Sequence, residues 1–399
     1  MFLFSIVFVL TIPLFFTCLK SSAQKYLGKQ ILNEPELTGV TVPITSPGRT
    51  IKTILDGSWE SYIEQHFANE LVFRKTFTRV YNQFLWSVFG SVDLTDVVVG
   101  ENHSLFEREY INQYFSEADE TTTTQIKDDV ALLSKLHSAL GKKGIPMIVW
   151  ITPSKAVYYP QQISSAFNRY LSMKQNGEYK QADYEVFAKL LGESDVPVYS
   201  GDKMLQDLVK QGQPVFVPSG IHWTSYPMAE WINGFQDILG KQLGKKLGKL
   251  EITVNDSSMY ALGIDSDLLS IANTFSLSPY YDSDYIRFTS TNGEATPNLF
   301  ICGGSFITRL LQSIYSPDFN TSASYIWGDG TEWSWYNSEV RGMPGFFQTW
   351  VPVSAKTDDY SSILKKDAII IEINQSMNDT AQLLFAQNLL NYIDGAGMK

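Results

Sequence analysis

Three short runs of this sequence are apolar at nearly every position, and they constrain the fold more than any other feature. The runs are residues 145–151 (IPMIVWI), 299–302 (LFIC) and 368–373 (AIIIEI). A strand with one wet face alternates apolar and polar residues, whereas a strand buried on both faces is apolar throughout. Amphipathic helical patterns separate the runs. The sequence therefore predicts an α/β fold with a mostly parallel sheet flanked by helices.

The other elements are predicted from local periodicity. Residues 59–89 predict an N-terminal helical elaboration whose aromatic stripe belongs to the core, and residues 97–106 predict a hairpin. Residues 255–297 and 327–350 are predicted to be irregular or a surface loop. Further strands are predicted at 196–199 and 214–217, and helices at 128–140, 183–191, 204–209, 226–239 and 380–393.

The start of the chain predicts export. Residues 1–18 are apolar except for three serines and threonines, and Ser21 and Ala23 fit a small-residue cleavage site. Residues 1–23 are therefore predicted to be a signal peptide. An uncleaved membrane anchor is the alternative, because no basic residue precedes the run and its length nearly suffices to span a bilayer. Residues 24–57, which are polar and contain prolines, predict an extended arm, and residues 58–399 predict a single domain.

Composition excludes several classes of function. The net charge is −11, and no cluster of Lys and Arg stands out, so no nucleic-acid partner is predicted. The two cysteines, Cys18 and Cys302, imply no disulfide framework and lack zinc-ligand spacing. The four histidines lie far apart in the chain. The sequence therefore predicts neither a metal site nor a cofactor.

A serine follows the second apolar run and is a candidate nucleophile. Ser305 comes after Gly303 and Gly304 and before an amphipathic run at 306–314, which is the order strand, turn, helix. Open α/β sheets place their sites at that edge, where helix N–H groups stabilise an oxyanion. Gly303 and Gly304 are therefore predicted to form the oxyanion and site loop. The alternative reading of Ser305 is a helix N-cap.

A serine hydroxyl needs a base at neutral pH, and His222 is the best candidate. It follows the predicted strand at 214–217 in a loop, with Trp223 beside it as a candidate near the substrate. The alternative for His222 is a buried histidine bonded to backbone. Between residues 211 and 224 there is no acid to orient the imidazole. Asp202, which follows another predicted strand, is a candidate acid, and its alternative role is a helix N-cap.

These two stretches together resemble a known family. The sequence Gly220-Ile-His222-Trp223 and the later Gly303-Gly304-Ser305-Phe306 resemble the Asp-x-His-Trp and Gly-Asp-Ser-Phe motifs of the SGNH-hydrolase-like O-acetyltransferases of bacterial exopolysaccharide export, the alginate acetylation proteins AlgJ and AlgX and their relatives. Weaker likenesses at 99–106, 145–160 and 371–374 extend the resemblance over about residues 50–395. Gly220 stands where the family has the aspartate of its triad.

The resemblance implies an acyltransferase in which Ser305 takes an acetyl group and passes it to a hydroxyl of an exported polysaccharide. It also implies a membrane-bound O-acyltransferase as acetyl supplier, a location in the periplasm or cell envelope, possible anchoring by the N-terminus, and an acetyltransferase domain over residues 58–399. Because of Gly220, two alternatives stay open. One is a polysaccharide acetylesterase, and the other is a non-catalytic assembly protein.

Overall fold

In the computed structural model of the chain, the three apolar runs form neighbouring strands of one sheet. The sheet has the order β10-β9-β8-β7-β11-β3-β4, and β8-β7-β11-β3-β4 run parallel to one another. The described strands are β1 (Val97–Val99), β2 (Leu105–Glu107), β3 (Met147–Thr152), β4 (Val198–Tyr199), β5 (Leu250–Ser258), β6 (Ser283–Ser290), β7 (Asn298–Gly303), β8 (Asn320–Trp327), β9 (Glu332–Tyr336), β10 (Val351–Ser354) and β11 (Ala368–Asn374).

The structure describes residues 2–28, 31–38, 45–258, 263–275, 283–290, 297–307, 320–327, 332–336, 351–354, 360–377 and 380–395. The chain divides into two compact units, Met1–Thr95 with Asp267–Ser278, and Asp96–Ser266 with Pro279–Lys399. Residues 58–95, which the sequence analysis assigned to the acetyltransferase domain, thus group with the first unit.

Helices make up most of the remaining regular structure. The predicted helices at 128–140, 183–191, 204–209, 226–239 and 380–393 all form, within longer or equal bounds. The described α-helices are α1 (Phe2–Leu27), α2 (Ile51–Leu55), α3 (Ser58–Glu70), α4 (Arg74–Phe84), α5 (Arg108–Tyr114), α6 (Glu120–Gly141), α7 (Lys155–Tyr158), α8 (Asn168–Gln175), α9 (Asp183–Gly192), α10 (Asp202–Lys210), α11 (Ser225–Leu243), α12 (Asp267–Ile271), α13 (Tyr360–Ile363) and α14 (Thr380–Ile393).

The core of the second unit lies against its sheet. Every residue of β3 and β11 is buried. On one side, apolar residues of α6, α9 and α14 join these strands in a single cluster that includes Leu133, Phe187 and Phe385. Elsewhere in this core, the indole of Trp150 on β3 packs edge-on against Trp231 and Phe235 of α11, with ring centroids 5.1 and 4.7 Å away. The α/β prediction is therefore confirmed, since the apolar runs are strands covered by helices.

Two segments differ from the sequence predictions. Within 255–297, predicted to be irregular, β6 pairs antiparallel with β5, and the register shifts at a bulge between Val254 and Asp256. Within 327–350, predicted to be a surface loop, β9 pairs antiparallel with β8 and β10, while residues 328–331 and 337–350 lie outside the described residues. The aromatic and β-branched residues of β9 favour a strand, although its short length hides the period.

A prediction about the burial of residues in the first unit is wrong. The aromatic stripe of residues 59–89 was expected in the core, but much of it faces solvent. Within α3 and α4 the described burial is limited to Asn82. Periodicity identifies an apolar face without showing that another element covers it. Seven side chains of the stripe are 47–58% exposed: Ile63, Phe67, Phe77, Val80, Tyr81, Phe84 and Val88.

The N-terminal segment is helical. Residues 2–27 form α1, and residues 31–38 and 45–50 have no regular secondary structure, whereas α2 lies inside the predicted extended arm of residues 24–57. None of the helices in the described part of the chain combines the length and the apolar character needed to cross a membrane.

Candidate active site

Ser305 lies where β7 turns into a helix. The strand ends at Gly303, and the N–H of Ile307 donates to the carbonyl of Gly304 at 3.3 Å, which closes the first helical turn. Phe306 and Ile307 are buried, while Ser305 is partly exposed. The strand, turn and helix start are therefore where the sequence predicted them, and residues 308–314 of the predicted helix lie outside the described residues.

The hydroxyl of Ser305 meets the imidazole of His222. The distance between Ser305 Oγ and His222 Nε2 is 2.9 Å, which is a hydrogen bond between residues 83 positions apart. His222 is 6% exposed, and its ring packs against Phe306, with ring centroids 4.9 Å apart. The structure thus brings together the two residues predicted as nucleophile and base, with the ring held from the side by an aromatic neighbour.

The loop that carries His222 is not the continuation of a sheet strand. Residues 214–217, predicted as a strand, form one bridge between Phe216 and Trp223, and the N–H of Thr224 donates to the carbonyl of Val215 at 2.8 Å. The segment therefore folds back on itself as a tight hairpin. His222 reaches Ser305 from this hairpin, so the predicted meeting is correct although the predicted strand is wrong.

A buried lysine holds this hairpin. Lys155, at the first position of α7, is 1% exposed. Its ammonium donates to four carbonyl oxygens, those of Leu105, Val217, Pro218 and Gly220, at 2.7, 2.7, 3.0 and 2.9 Å. Three of these carbonyls belong to the His222 hairpin, and the fourth belongs to β2. The lysine's charge is therefore satisfied by backbone dipoles, as a buried cation requires.

Trp223 has a different role from the one predicted. Its side chain is fully buried, so it is not placed to meet a substrate. The indole N–H donates to the carbonyl of Phe306 at 3.3 Å, and its ring packs against Trp231 at 5.3 Å. Trp223 therefore ties the His222 hairpin to the first turn after Ser305, which fixes the distance between the two reactive side chains.

The two glycines of the predicted site loop lie against Glu372 of β11. The N–H of Gly304 donates to Glu372 Oε2 at 2.7 Å, so this N–H is not free to bind an oxyanion. A Cβ on Gly303 would lie 2.6 Å from both the Cβ and Oε2 of Glu372, so only glycine fits there. Gly304 is thus corrected from an oxyanion donor to a residue that anchors the turn.

The described contacts of Asp202 lie away from His222. Its Oδ1 accepts a hydrogen bond from the Tyr158 hydroxyl at 2.6 Å and another from Gln375 Nε2 at 3.3 Å. Burial and the neighbouring Asp202 carboxylate raise the pKa of Tyr158 well above its ordinary value. Asp202 occupies the first turn of α10, after the N-cap Gly201. None of these contacts assigns Asp202 to the imidazole.

The electrostatics of the site come from buried groups. Burial raises the pKa of Glu372 above its ordinary value of 4.5, against the lowering effect of hydrogen bonds from Thr152, Gly304 and Gln382. Burial, and then the Glu372 charge, raise the pKa of the Cys302 thiol, which is therefore no nucleophile at neutral pH. Among the described side chains, no group of three or more His, Cys, Asp or Glu is arranged to hold a metal ion.

Comparisons with known proteins point to one family. Residues 97–228, which include His222, match the family model described as "SGNH hydrolase-like domain, acetyltransferase AlgX". The "Probable alginate O-acetylase AlgJ" of Azotobacter vinelandii is 23% identical over 173 residues, which is 43% of this chain and 41% of that protein. The chain spans less than half the length of the curated relatives it matches.

Two solved structures are similar at lower levels of identity. The O-acetyltransferase domain of Pseudomonas putida AlgJ has a TM-score of 0.45 and 13% identity, covering 74% of this chain and 99% of that one. Pseudomonas aeruginosa AlgX has a TM-score of 0.47 and 14% identity, covering 75% and 67%. Both TM-scores lie below 0.5, so the assignment depends on the family model and the curated relatives. These confirm the resemblance predicted from the motifs, since residues 97–228 of the chain are similar to the SGNH hydrolase-like acetyltransferase domain of AlgX.

Proposed function

We propose that this chain is an O-acetyltransferase that moves acetyl groups onto hydroxyls of an exported polysaccharide through an acyl group on Ser305. The observation that carries the proposal is the 2.9 Å hydrogen bond between Ser305 Oγ and His222 Nε2. Nucleophile and base lie within the reach that proton transfer requires. The partial exposure of Ser305 leaves its hydroxyl accessible to a donor.

In the first half-reaction, Ser305 attacks the carbonyl carbon of an acetyl ester or thioester. His222 Nε2 takes the hydroxyl proton as the Oγ–C bond forms, and the resulting tetrahedral intermediate carries its negative charge on the former carbonyl oxygen. The bond to the donor's oxygen or sulfur then breaks, and that atom leaves with the proton from His222. The N–H groups of Ser305 and Phe306 are proposed to stabilise the oxyanion, since those of Gly304 and Ile307 donate to Glu372 and to the Gly304 carbonyl.

In the second half-reaction, a sugar hydroxyl replaces water as the acceptor. His222 removes its proton, the sugar oxygen attacks the acyl carbon, and Ser305 Oγ leaves and regains the proton. Gly220 provides no carboxylate in place of the family's aspartate, so the orientation of His222 depends on its surroundings. The Lys155 ammonium under the hairpin and the Phe306 ring beside the imidazole supply such an orientation.

The names of the relatives support the proposed acceptor. Curated relatives carry the name "Probable alginate O-acetylase", which supports a polysaccharide acceptor. We propose a membrane-bound O-acyltransferase as acetyl supplier. We also propose that the protein acts in the periplasm or cell envelope, where an exported polysaccharide would meet it.

The test compares polymer acetylation in cells that carry wild type, Ser305→Ala or the control Ser172→Ala. Ser172 is an exposed serine on α8, so replacing it shows the effect of a serine-to-alanine substitution outside the candidate site. We expect acetate on the polymer to disappear with Ser305→Ala and to persist with Ser172→Ala. Equal acetylation in all three strains would reject the proposal.

A second assay separates transfer from its alternatives. Purified protein is incubated with an acetyl ester, with and without oligosaccharide, and both acetylated sugar and free acetate are measured. Acetylated sugar supports the proposed transferase. Free acetate unaffected by added sugar would indicate an esterase, and polysaccharide binding without any acyl-Ser305 by mass spectrometry would indicate a non-catalytic protein.

A further inference from the structure

A fully buried carboxyl group lies beneath the candidate nucleophile. Glu372 is 0% exposed on the central strand β11, one residue beyond the pair formed by Ile371 and Cys302 of β7. A carboxyl is almost never buried completely unless partners satisfy its oxygens, because its desolvation is costly. Glu372 interrupts the apolar run of β11 where the strand contacts the turn before Ser305.

The partners of Glu372 belong to the site. Its Oε2 accepts the Gly304 N–H at 2.7 Å, and its Oε1 accepts the hydroxyl of Thr152 at the end of β3. The side chain of Gln382, on α14 and 3% exposed, supplies a further hydrogen bond. The Thr152 hydroxyl in turn accepts from Asn374 Nδ2 at 3.0 Å. The carboxyl therefore links two parallel strands, a helix and the turn that carries the nucleophile.

The backbone of the two glycines before Ser305 lies against the side chain of Glu372, which leaves little room for a side chain on Gly303. A Cβ on Gly303 would clash with the Glu372 side chain at 2.6 Å and would lie 3.0 Å from Ile307 Cγ2. A Cβ on Gly304 would stand 3.6 Å from Glu372 Oε2, in ordinary contact. The turn therefore contacts the carboxyl directly. A displacement of Glu372 would move Gly304 and, with it, Ser305.

We propose that Glu372 is a positioning residue that fixes the Ser305 turn through the Gly304 N–H and so holds the Ser305 hydroxyl at hydrogen-bond distance from His222. The bond from Gly304 to Glu372 determines the orientation of the peptide next to Ser305. Misplacing a reacting atom by about 1 Å can cost on the order of 10²-fold in rate. Glu372 touches neither substrate nor the reacting atoms, so it acts through the turn.

This inference rests on the proposed function only in taking Ser305 as the nucleophile. The test therefore uses a sulfonyl fluoride probe, which sulfonylates an activated serine without needing acetyl donor or sugar. Ser305 Oγ attacks the sulfur, fluoride leaves, and the proton passes through His222. Mass spectrometry of the full chain locates the adduct, and its rate of formation is measured for each variant.

We expect Glu372→Ala to slow labelling of Ser305 on the order of 10²-fold. Glu372→Gln should restore labelling to within about fivefold of wild type, since an amide oxygen still accepts the Gly304 N–H but more weakly than a carboxylate. Asn82→Ala is the matched control, because it removes another buried side-chain hydrogen bond, to the Ala272 carbonyl at 2.7 Å, away from the turn. It should lower Tm without slowing labelling.

A spectroscopic measurement separates positioning from general stability. In ¹⁵N-labelled protein, the Gly304 amide proton should resonate downfield in wild type and move upfield in Glu372→Ala, because it loses its acceptor. If Glu372→Ala fails to fold, Gln382→Ala tests the same carboxyl, and a severalfold loss of labelling is expected.

The outcomes distinguish the two proposals. A wild-type protein that the probe does not label at Ser305 overturns the nucleophile assignment, and the Glu372 inference with it. Folded Glu372→Ala or Gln382→Ala labelled as fast as wild type overturns the Glu372 inference alone. A Gly304 amide shift unchanged in folded Glu372→Ala does the same.

Discussion

At the scale of single residues, the proposed chemistry depends on His222 as the base. Replacing it with glutamine keeps a polar side chain of similar size but removes the imidazole, so Ser305 loses its proton acceptor. We expect acylation by p-nitrophenyl acetate to fall on the order of 10³-fold or more, measured as the burst of p-nitrophenol. His66→Gln is the control, because His66 is exposed on α3 in the first unit. An undiminished burst in His222→Gln would remove His222 from the mechanism.

The protonation of Glu372 makes a prediction about stability. Burial raises its folded pKa above 4.5, so between 4.5 and that pKa the folded state binds more protons than the unfolded state. The contribution of the neutral carboxyl to stability is complete below about pH 4.5 and is lost as pH rises through the folded pKa. The titratable neighbour described around it is the Cys302 thiol, itself raised by burial.

Glu372→Gln cannot ionise, so its stability should not show this loss. We expect the free energy of unfolding of Glu372→Gln to rise relative to wild type as pH increases above 4.5. Urea denaturation of both proteins at several pH values between 4.5 and 8 measures the difference. If the free energies of unfolding of the two proteins changed in parallel with pH over that range, burial would not raise the pKa of this carboxyl.

At the scale of elements, the hairpin that carries His222 is held by Lys155 on α7. Lys155→Met keeps most of the length of the side chain but removes the ammonium from four carbonyl oxygens, of which that of Pro218 still accepts the Leu105 N–H at 2.7 Å. Unsatisfied buried acceptors cost about 1–3 kcal/mol each, so we expect destabilisation of about 3 kcal/mol or more together with slower acylation of Ser305. Lys155→Arg keeps the charge, but a planar guanidinium donates in a fixed fork, so it should recover only part of both losses.

Urea denaturation gives the stability of the two lysine variants, and the p-nitrophenyl acetate burst gives their acylation rate. Trp223 also holds this hairpin, through its hydrogen bond to the Phe306 carbonyl. Folded Lys155→Met therefore tests whether that bond alone keeps His222 in place. A folded Lys155→Met with wild-type acylation would show that the hairpin keeps its place without the lysine.

The elements show what the sequence can and cannot predict. β3, β7 and β11 were predictable, because a strand buried on both faces has a local signature, and the turn at Gly303 to Ser305 followed from it. The contacts of Lys155 and Glu372 were not, since they join residues 50 or more positions apart. β5 was not predicted. Leu250, Ile252 and Val254 alternate with polar residues, but residues 255–258 are all polar, so the alternation is too short to indicate a strand.

At the scale of the whole molecule, the two units differ in the burial of apolar helix residues. Val130 on α6 is 8% exposed and belongs to the core cluster of the second unit, whereas Val80 on α4 is 51% exposed in the first. Both are valines within helices, so their intrinsic helix propensities are equal. Sequence periodicity therefore cannot tell them apart, and only the packing of each unit does.

The same substitution at both positions tests this difference. Val130→Ser should lower the free energy of unfolding by about 2 kcal/mol or more, because it removes buried apolar area and buries a hydroxyl. Val80→Ser should change it by less than about 0.5 kcal/mol, as exposed positions do. Urea denaturation of each variant, followed by far-UV circular dichroism, measures both effects. Equal losses at the two positions would mean that Val80 is covered in solution, because an exposed valine has no buried contacts to lose.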